Sequence, residues 1–248
     1  MEHIILITGG SRGIGAATAR LAATRGYAVC ISYVSNQAAA DGVVNEIVSA
    51  GGKALAFQGD VASEPDVVRM FQQVDKGFGE LTALVNNAGI IDIHSRVDGM
   101  SAARLNRIFA TNITGSFICA REAVKRMSTR HGGAGGAIVN LSSAASRIGS
   151  PGEYVDYAAS KGAIETFTLG LSKEVAAEGI RVNAVRPGVI YTDIHASGGE
   201  PGRVDRVKDS VPMKRGGTAE EVAQTIMWLL SDDASYTTGA IVDVTGGR

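Results

Sequence analysis

Proline and cysteine are scarce, at 5 and 2 residues in a chain of 248. The two cysteines, Cys30 and Cys119, are far apart and lack a CxxC context. A disulfide framework is therefore not expected, and each reads as a small buried hydrophobe. The four histidines, His3, His94, His131 and His195, show no metal-ligand spacing, so no metal is expected. Charge of one sign is not in excess either: 24 Lys and Arg stand against 25 Asp and Glu. That balance excludes bulk attraction to nucleic acid or to an anionic membrane. No apolar run approaches the roughly 20 residues that span a bilayer. The start, Met1-Glu2-His3, lacks the basic stretch and cleavage region of a secretory signal. A cytoplasmic protein is expected.

Glycine is abundant, at 32 residues, and hydrophobic residues make up 45% of the chain against 20% charged. This is the balance of a globular chain with a large core. Apolar segments bounded by glycine or polar turns predict strands at His3–Ile7, Ala28–Tyr33, Lys53–Phe57, Ala83–Asn86, Ala137–Leu141, Arg181–Val185 and Ala240–Val244. Helices are predicted between them at Gly13–Arg25, Ala38–Ala50, Glu64–Phe78, Ala102–Arg130, Tyr154–Glu178 and Ala219–Leu230. Alternation of this kind predicts one α/β domain over residues 1–248. Its core is a Rossmann-type, doubly wound, parallel seven-stranded sheet with helices on both faces. The long irregular stretch is Gly188–Gly217, with a short helix expected near Val204–Ser210; such loops usually bind or cover ligands.

The turn between the first strand and first helix reads Thr8-Gly9-Gly10-Ser11-Arg12-Gly13-Ile14-Gly15. Its glycines permit a sharp turn and close ligand approach, and the helix N-terminus behind it favours phosphate. A P-loop is excluded, because Ala16 and Ala17 stand where lysine and a hydroxyl are required. The segment after the second strand, Ile31-Ser32-Tyr33-Val34-Ser35-Asn36, has no carboxylate to meet a ribose 2′-hydroxyl. With Arg12 in the glycine turn, that absence favours NADP(H) over NAD, and Tyr33 falls on the same cofactor side.

The chain resembles the short-chain dehydrogenase/reductase family. The residues that carry the resemblance are TGxxxGxG at 8–15, Asn86-Asn87-Ala88-Gly89, Tyr157-Ala158-Ala159-Ser160-Lys161, Arg186-Pro187-Gly188 and the C-terminal Thr238-Gly239 and Gly246-Gly247. They span the whole chain in order. Within the family it is similar to the bacterial 3-oxoacyl-carrier-protein reductase and glucose 1-dehydrogenase groups. The resemblance implies that Asp60 and Val61 flank adenine, that Asn87, Ala88 and Gly89 line the ribose, and that Pro187, Gly188, Ile190 and Thr192 sit beside nicotinamide. Asn112, in Thr111-Asn112-Ile113-Thr114-Gly115, would hold a proton-relay water. A homotetramer, or a homodimer, is the family expectation.

Interconversion of a carbonyl and an alcohol needs a hydride from the cofactor and a proton from the protein. Tyr157 is the candidate acid/base. A free tyrosine titrates near ~10, so neutral-range chemistry needs about 4 kcal/mol of phenolate stabilisation. Lys161, four residues on, shares its helix face and supplies positive charge to Tyr157, and by resemblance it also holds the ribose. Ser143 is preferred over Ser142 and Ser146 as donor to the carbonyl oxygen, although it lies fourteen residues before Tyr157 where family members have thirteen. Tyr154 reads as pocket lining or packing. The substrate is a small carbonyl or alcohol of unspecified identity. A sugar dehydrogenase, and a silent dinucleotide-binding regulator, are the alternatives.

Overall fold

The computed structural model describes residues 3–248; Met1 and Glu2, part of the start read for a leader, lie outside them. The described strands form one sheet ordered β3-β2-β1-β4-β5-β6-β7. They are β1 (Ile4–Ile7), β2 (Ala28–Tyr33), β3 (Lys53–Gln58), β4 (Ala83–Asn86), β5 (Gly136–Leu141), β6 (Ile180–Pro187) and β7 (Ile241–Val244). Every pairing is parallel, from Ile4 beside Ala28 to Pro187 beside Val244.

Both faces are covered. In β1, Ile5 and Ile7 enter a core shared with α1 (Gly13–Thr24), α2 (Gln37–Ser49) and α10 (Ala219–Leu230). Ile4 and Leu6 enter the opposite core, with Val67, Met70 and Phe71 of α3 (Glu64–Gly77). A strand buried on both sides must be apolar at every position, which is why β1 reads as a continuous Ile-Ile-Leu-Ile run. Cys30 and Cys119 are free and lie in this second core, where burial pushes both thiols up to about 12. No helix among the described residues is long and apolar enough to cross a membrane.

The long helix expected over Ala102–Arg130 is divided. α4 (Ala102–Phe109) passes through a π-helical turn at Ala110–Thr114 into α5 (Gly115–Met127), and a separate 3₁₀ turn covers Thr129–His131. The wide turn carries Asn112 out of helical register, toward the chain after β4. There its side chain accepts from the Ile90 N–H at 2.8 Å and donates to the Ile90 carbonyl at 2.9 Å. Such single π turns are commonest at functional sites. The stretch after β5, expected as loop, holds the short helix α6 (Ala145–Ile148), and the Ala145 N–H donates to Ser143 Oγ at 3.2 Å. α7 spans Val155–Val175, and a 3₁₀ turn completes the predicted run to Glu178. The irregular stretch after β6 contains α8 (Ile194–Ser197) and α9 (Arg203–Val207), the latter followed by a 3₁₀ turn at Lys208–Ser210.

Strand order reverses between β1 and β4. In open parallel sheets the crevice beyond such a reversal is the place for a ligand.

Candidate active site

A cleft of about 500 Å³ opens at the carboxyl ends of the strands. The glycine turn forms one wall, with Gly9, Ser11, Arg12, Gly13 and Ile14 lining it. Gly15 does not line it. A Cβ there would fall 2.6 Å from the Gly9 carbonyl, so this glycine lets α1 press against the turn. Gly9 has φ +63, and its Cβ would meet the Ala88 backbone at 3.1 Å. Asn87 borders the cleft, yet its amide is already engaged. It donates to the carbonyls of Thr8 and Gly9 at 2.8 and 2.9 Å, while Thr8 Oγ1 accepts from the Asn87 and Ala88 N–H groups. Asn87 therefore staples the glycine turn to the end of β4.

Arg12, at the N-cap of α1, makes no side-chain capping bond, so the helix end presents its N–H groups to the cleft. Tyr33 and Val34 close this end, with Ser32 holding the Gly9 N–H at 3.2 Å. Asp60 and Val61 line the neighbouring wall; Asp60 Oδ1 accepts from the Ala62 N–H at 2.9 Å. Pro187, Gly188, Ile190 and Thr192 line the opposite wall. The Thr192 methyl stands 3.3 Å from where a Gly13 Cβ would be, closing the cleft over the turn. A glycine-rich turn, an uncapped helix end and the cleft between them together fit a dinucleotide.

At the floor stand Ser143, Tyr157 and Lys161. Ser143 hydrogen-bonds the Tyr157 phenol, the one influence that lowers its pKa, while burial pushes it up. Ser142 is turned away: its hydroxyl donates to Glu165 Oε1 at 2.6 Å. Ser146 also donates to Glu165, at 2.5 Å. Of the three serines, Ser143, the one preferred from the sequence, is the one that meets Tyr157. Lys161 Nζ lies 5.6 Å from the Tyr157 ring centroid and donates to the Leu141 carbonyl at 2.6 Å. Burial lowers the lysine to about 8. In the chain alone, then, burial works against charge on both partners, and Tyr157 is not moved toward neutrality. Asn112 does not line the cleft. It lies behind Gly89, and a Gly89 Cβ would stand 3.5 Å from both Asn112 Oδ1 and Lys161 Nζ.

Two features were not singled out in the sequence. Glu165, one turn beyond Lys161 on α7, receives Ser142, Ser146 and a two-pronged Arg186 at 2.8 Å on each oxygen. Arg186 in turn donates to Asp243 at 2.6 Å. This network ties the ends of β5, β6 and β7 to α7. The i, i+4, i+8 row of Tyr157, Lys161 and Glu165 was its available signal. The second is a buried pair: Arg104 Nε donates to Asp156 Oδ2 at 2.7 Å, and Arg104 Nη1 to the Ile93 carbonyl at 2.7 Å. Asp156 also accepts from the Tyr157 N–H, so α4 anchors the first turn of α7. Breaking a buried pair strands a charge at a cost of roughly 3–5 kcal/mol. Asp156→Ala is expected to lower the Tm by about 10 °C, taking 2–4 °C per kcal/mol for a chain this size; calorimetry checks it.

Comparison with known proteins agrees with this arrangement. Residues 9–248 match the family model described as enoyl-(acyl carrier protein) reductase. The chain is 63% identical over 245 residues to the uncharacterized oxidoreductase YgfF of Escherichia coli, covering 99% of each chain. It is 37% identical over 246 residues to a 3-oxoacyl-[acyl-carrier-protein] reductase of Synechocystis, covering 99% of this chain and 96% of the relative. Among solved structures, a short-chain dehydrogenase/reductase from Serratia marcescens matches with a TM-score of 0.91 and 31% identity, covering 99% of this chain and 97% of that one. A sheet reversed at β1 and β4, with a serine, tyrosine and lysine gathered below a glycine turn, is what these relationships account for: the chain is an oxidoreductase of the short-chain dehydrogenase/reductase family.

Proposed function

We propose that this protein is an NADPH-dependent reductase of small carbonyl compounds, reversible as an alcohol dehydrogenase. The observation that carries the reading is the meeting of Ser143, Tyr157 and Lys161 on the floor of the same cleft whose other end is the glycine turn. The bound cofactor supplies hydride to the carbonyl carbon. The rest falls to the chain. Ser143 donates a hydrogen bond to the carbonyl oxygen and holds it against Tyr157. Tyr157, kept protonated by burial, passes its proton to that oxygen as the alcohol forms. Lys161, while charged, stabilises the phenolate left behind. Asn112 holds the proton path to solvent behind Gly89. Similarity to a 3-oxoacyl-[acyl-carrier-protein] reductase supports reduction as the working direction.

NADP(H) preference rests on Arg12 and on the absence of a carboxylate among Ser32, Tyr33, Val34, Ser35 and Asn36 at that end of the cleft. A charge-assisted hydrogen bond contributes about 1.5–3 kcal/mol. Arg12→Ser is therefore expected to raise the NADPH Kd by roughly tenfold to a hundredfold. The NADH Kd should stay within about twofold. Fluorescence titration of both cofactors, followed by turnover on a panel of ketones, 3-oxoacyl thioesters and sugars, tests the reading. Tighter binding of NADH by the wild type sinks the cofactor assignment, and NADPH binding without turnover on any carbonyl sinks the reductase. A cytoplasmic homotetramer accompanies the proposal, supported by the outward Phe117, stacked on Phe167 at 3.7 Å, and by exposed Leu169, on α5 and α7.

A further inference from the structure

We propose that Glu165 is a positioning residue for the reaction: from behind the cleft, it holds Ser143 of the sheet against Tyr157 of α7. This rests on the reductase reading above and adds the group that aligns its two hydroxyls. Ser143 and Tyr157 belong to different layers, one just beyond the end of β5, the other in the first turn of α7. Their meeting therefore depends on how the helix seats on the sheet. Glu165 lies further along α7 and does not line the cleft. Its carboxylate instead gathers the strand ends. Arg186, in β6, donates to both oxygens at 2.8 Å. Ser142 and Ser146, on either side of Ser143, both reach Oε1, at 2.6 and 2.5 Å. The backbone joins these donors. The Ser142 N–H donates to the Val185 carbonyl at 2.8 Å, and the Ala144 N–H to the Pro187 carbonyl at 2.9 Å. Ser143 is thus bracketed by the two backbone bonds that flank Arg186, so a carboxylate that seats Arg186 on α7 seats Ser143 as well.

The charge on Glu165 also decides which hydroxyl is free. Burial raises its carboxyl, but Arg186 and the two serines outweigh that and hold it below the usual carboxylate range. An ionised carboxylate only accepts, so Ser142 spends its single proton on Glu165. The Ser146 proton lies between Glu165 and the Ser143 carbonyl, 2.7 Å from its oxygen. Ser143 Oγ accepts from the Ala145 N–H at 3.2 Å, which leaves its own proton for the Tyr157 side. Of the three serines, Ser143 alone keeps a proton for the cleft. The far side of the clamp is secured too. Arg186 donates to Asp243 at 2.6 Å, and Asp243 accepts from Arg147 of α6 at 2.7 Å, so the turn after Ser143 is drawn into the same network. Lys161 also ties α7 to β5, through the Leu141 carbonyl at 2.6 Å, but that bond uses the ammonium that serves Tyr157. Glu165 gives the helix a seat that takes nothing from the reacting groups. Such support is what keeps a reacting side chain within about 0.5 Å of its productive place.

Glu165→Leu combined with Arg186→Met removes both charges at once, so that neither is left stranded in the interior. With a carbonyl substrate from the panel, kcat is expected to fall by roughly 10–10²-fold in this pair, the scale of a misplaced reacting group. The NADPH Kd should stay within about twofold, because the glycine turn is distant from the change. The deciding comparison repeats the pair in a Ser143→Ala background. A residue that acts through Ser143 then has nothing left to act on, and kcat should change by less than about twofold. A merely structural role would cost the same with or without Ser143, and that result overturns the proposal. Tyrosine labelled at 13Cζ gives a readout independent of turnover, with the Tyr157 signal identified by its loss in Tyr157→Phe. The signal should move in Ser143→Ala, move the same way in the Glu165→Leu, Arg186→Met pair, and move no further when the changes are combined. A Tyr157 signal that the pair leaves at its wild-type position overturns the proposal. If no protein reduces any carbonyl, the reductase reading fails by itself, and the positioning role stands or falls on this signal. Should the pair fail to fold, Ser142→Ala with Ser146→Ala cuts the same bonds from the other end and carries the same expectations.

Discussion

Tyr157→Phe is expected to lower kcat for carbonyl reduction by roughly 10²–10⁴-fold, the usual contribution of a positioned general acid. The variant keeps the ring and removes only the hydroxyl, which Ser143 holds and burial keeps protonated. The phenol leaves no other acid at that position. Ser143 does not titrate in water, and Lys161 Nζ is directed at the Leu141 carbonyl. NADPH affinity should change by less than about tenfold, because the glycine turn, Arg12 and the α1 terminus are untouched. Stopped-flow and steady-state rates with a substrate from the panel supply the comparison. Turnover within tenfold of wild type would remove Tyr157 from the mechanism.

Lys161→Met should have two opposite effects. At 5.6 Å from the Tyr157 ring, one positive charge is worth roughly 3 kcal/mol at an effective dielectric of about 20. Loss of it should slow reduction on the order of 10²-fold. Stability should move the other way. Burial holds the lysine down to about 8, against an ordinary 10.5. Keeping it charged at neutral pH thus costs the folded state roughly 3 kcal/mol, partly offset by about 1–3 kcal/mol from the bond to Leu141. The variant is expected to melt a few degrees higher at pH 7. The sign with pH follows. Below pH 8 the lysine is protonated folded and unfolded, and the whole penalty applies. Between about 8 and 10.5 the folded protein releases its proton first, so wild type gains stability and the gap closes. Wild-type reduction should be flat below about pH 8 and fall above it, as the charge facing Tyr157 is lost. In Lys161→Met that fall should be absent. Denaturant melts and pH–rate profiles measure both, and a variant less stable than wild type at pH 7 would refute the burial argument.

The letters carried much of this. Seven apolar runs separated by glycine and polar turns are enough to place the strands, because a doubly covered parallel strand has no polar face. The same property hides the π turn at Ala110–Thr114: one widened turn barely alters apolar spacing over a long helix, and its cause is the distant Ile90 backbone. The helices α6, α8 and α9 are too short for any periodicity. Its place at the end of the fifth strand proposed Ser143 against the family spacing, but only the fold shows Ser142 turned to Glu165 and Ser143 to Tyr157. Glu165 was passed over because a carboxylate on a helix ordinarily faces water, and nothing local announces Arg186 from another strand. The fold pairs the charges of Glu200, Arg203 and Arg206 with one another, which the letters of that irregular stretch do not show.

The clasp between Thr8 and Asn87 has a meaning for folding as well. In a strand like β1, with isoleucine or leucine at every position, slipping by one residue exchanges one apolar side chain for another. Hydrophobicity then says little about the correct alignment. Alignment must come from side chains that recognise a particular backbone group. Thr82 does this at one end of β1, accepting from the Ile4 N–H at 2.9 Å and donating to the Ile4 carbonyl at 3.0 Å. Thr8 and Asn87 do it at the other. A chain that lost the second clasp would risk misaligned, aggregation-prone sheets before it ever met a nucleotide, so the motif that shapes the ligand turn also proofreads strand assembly.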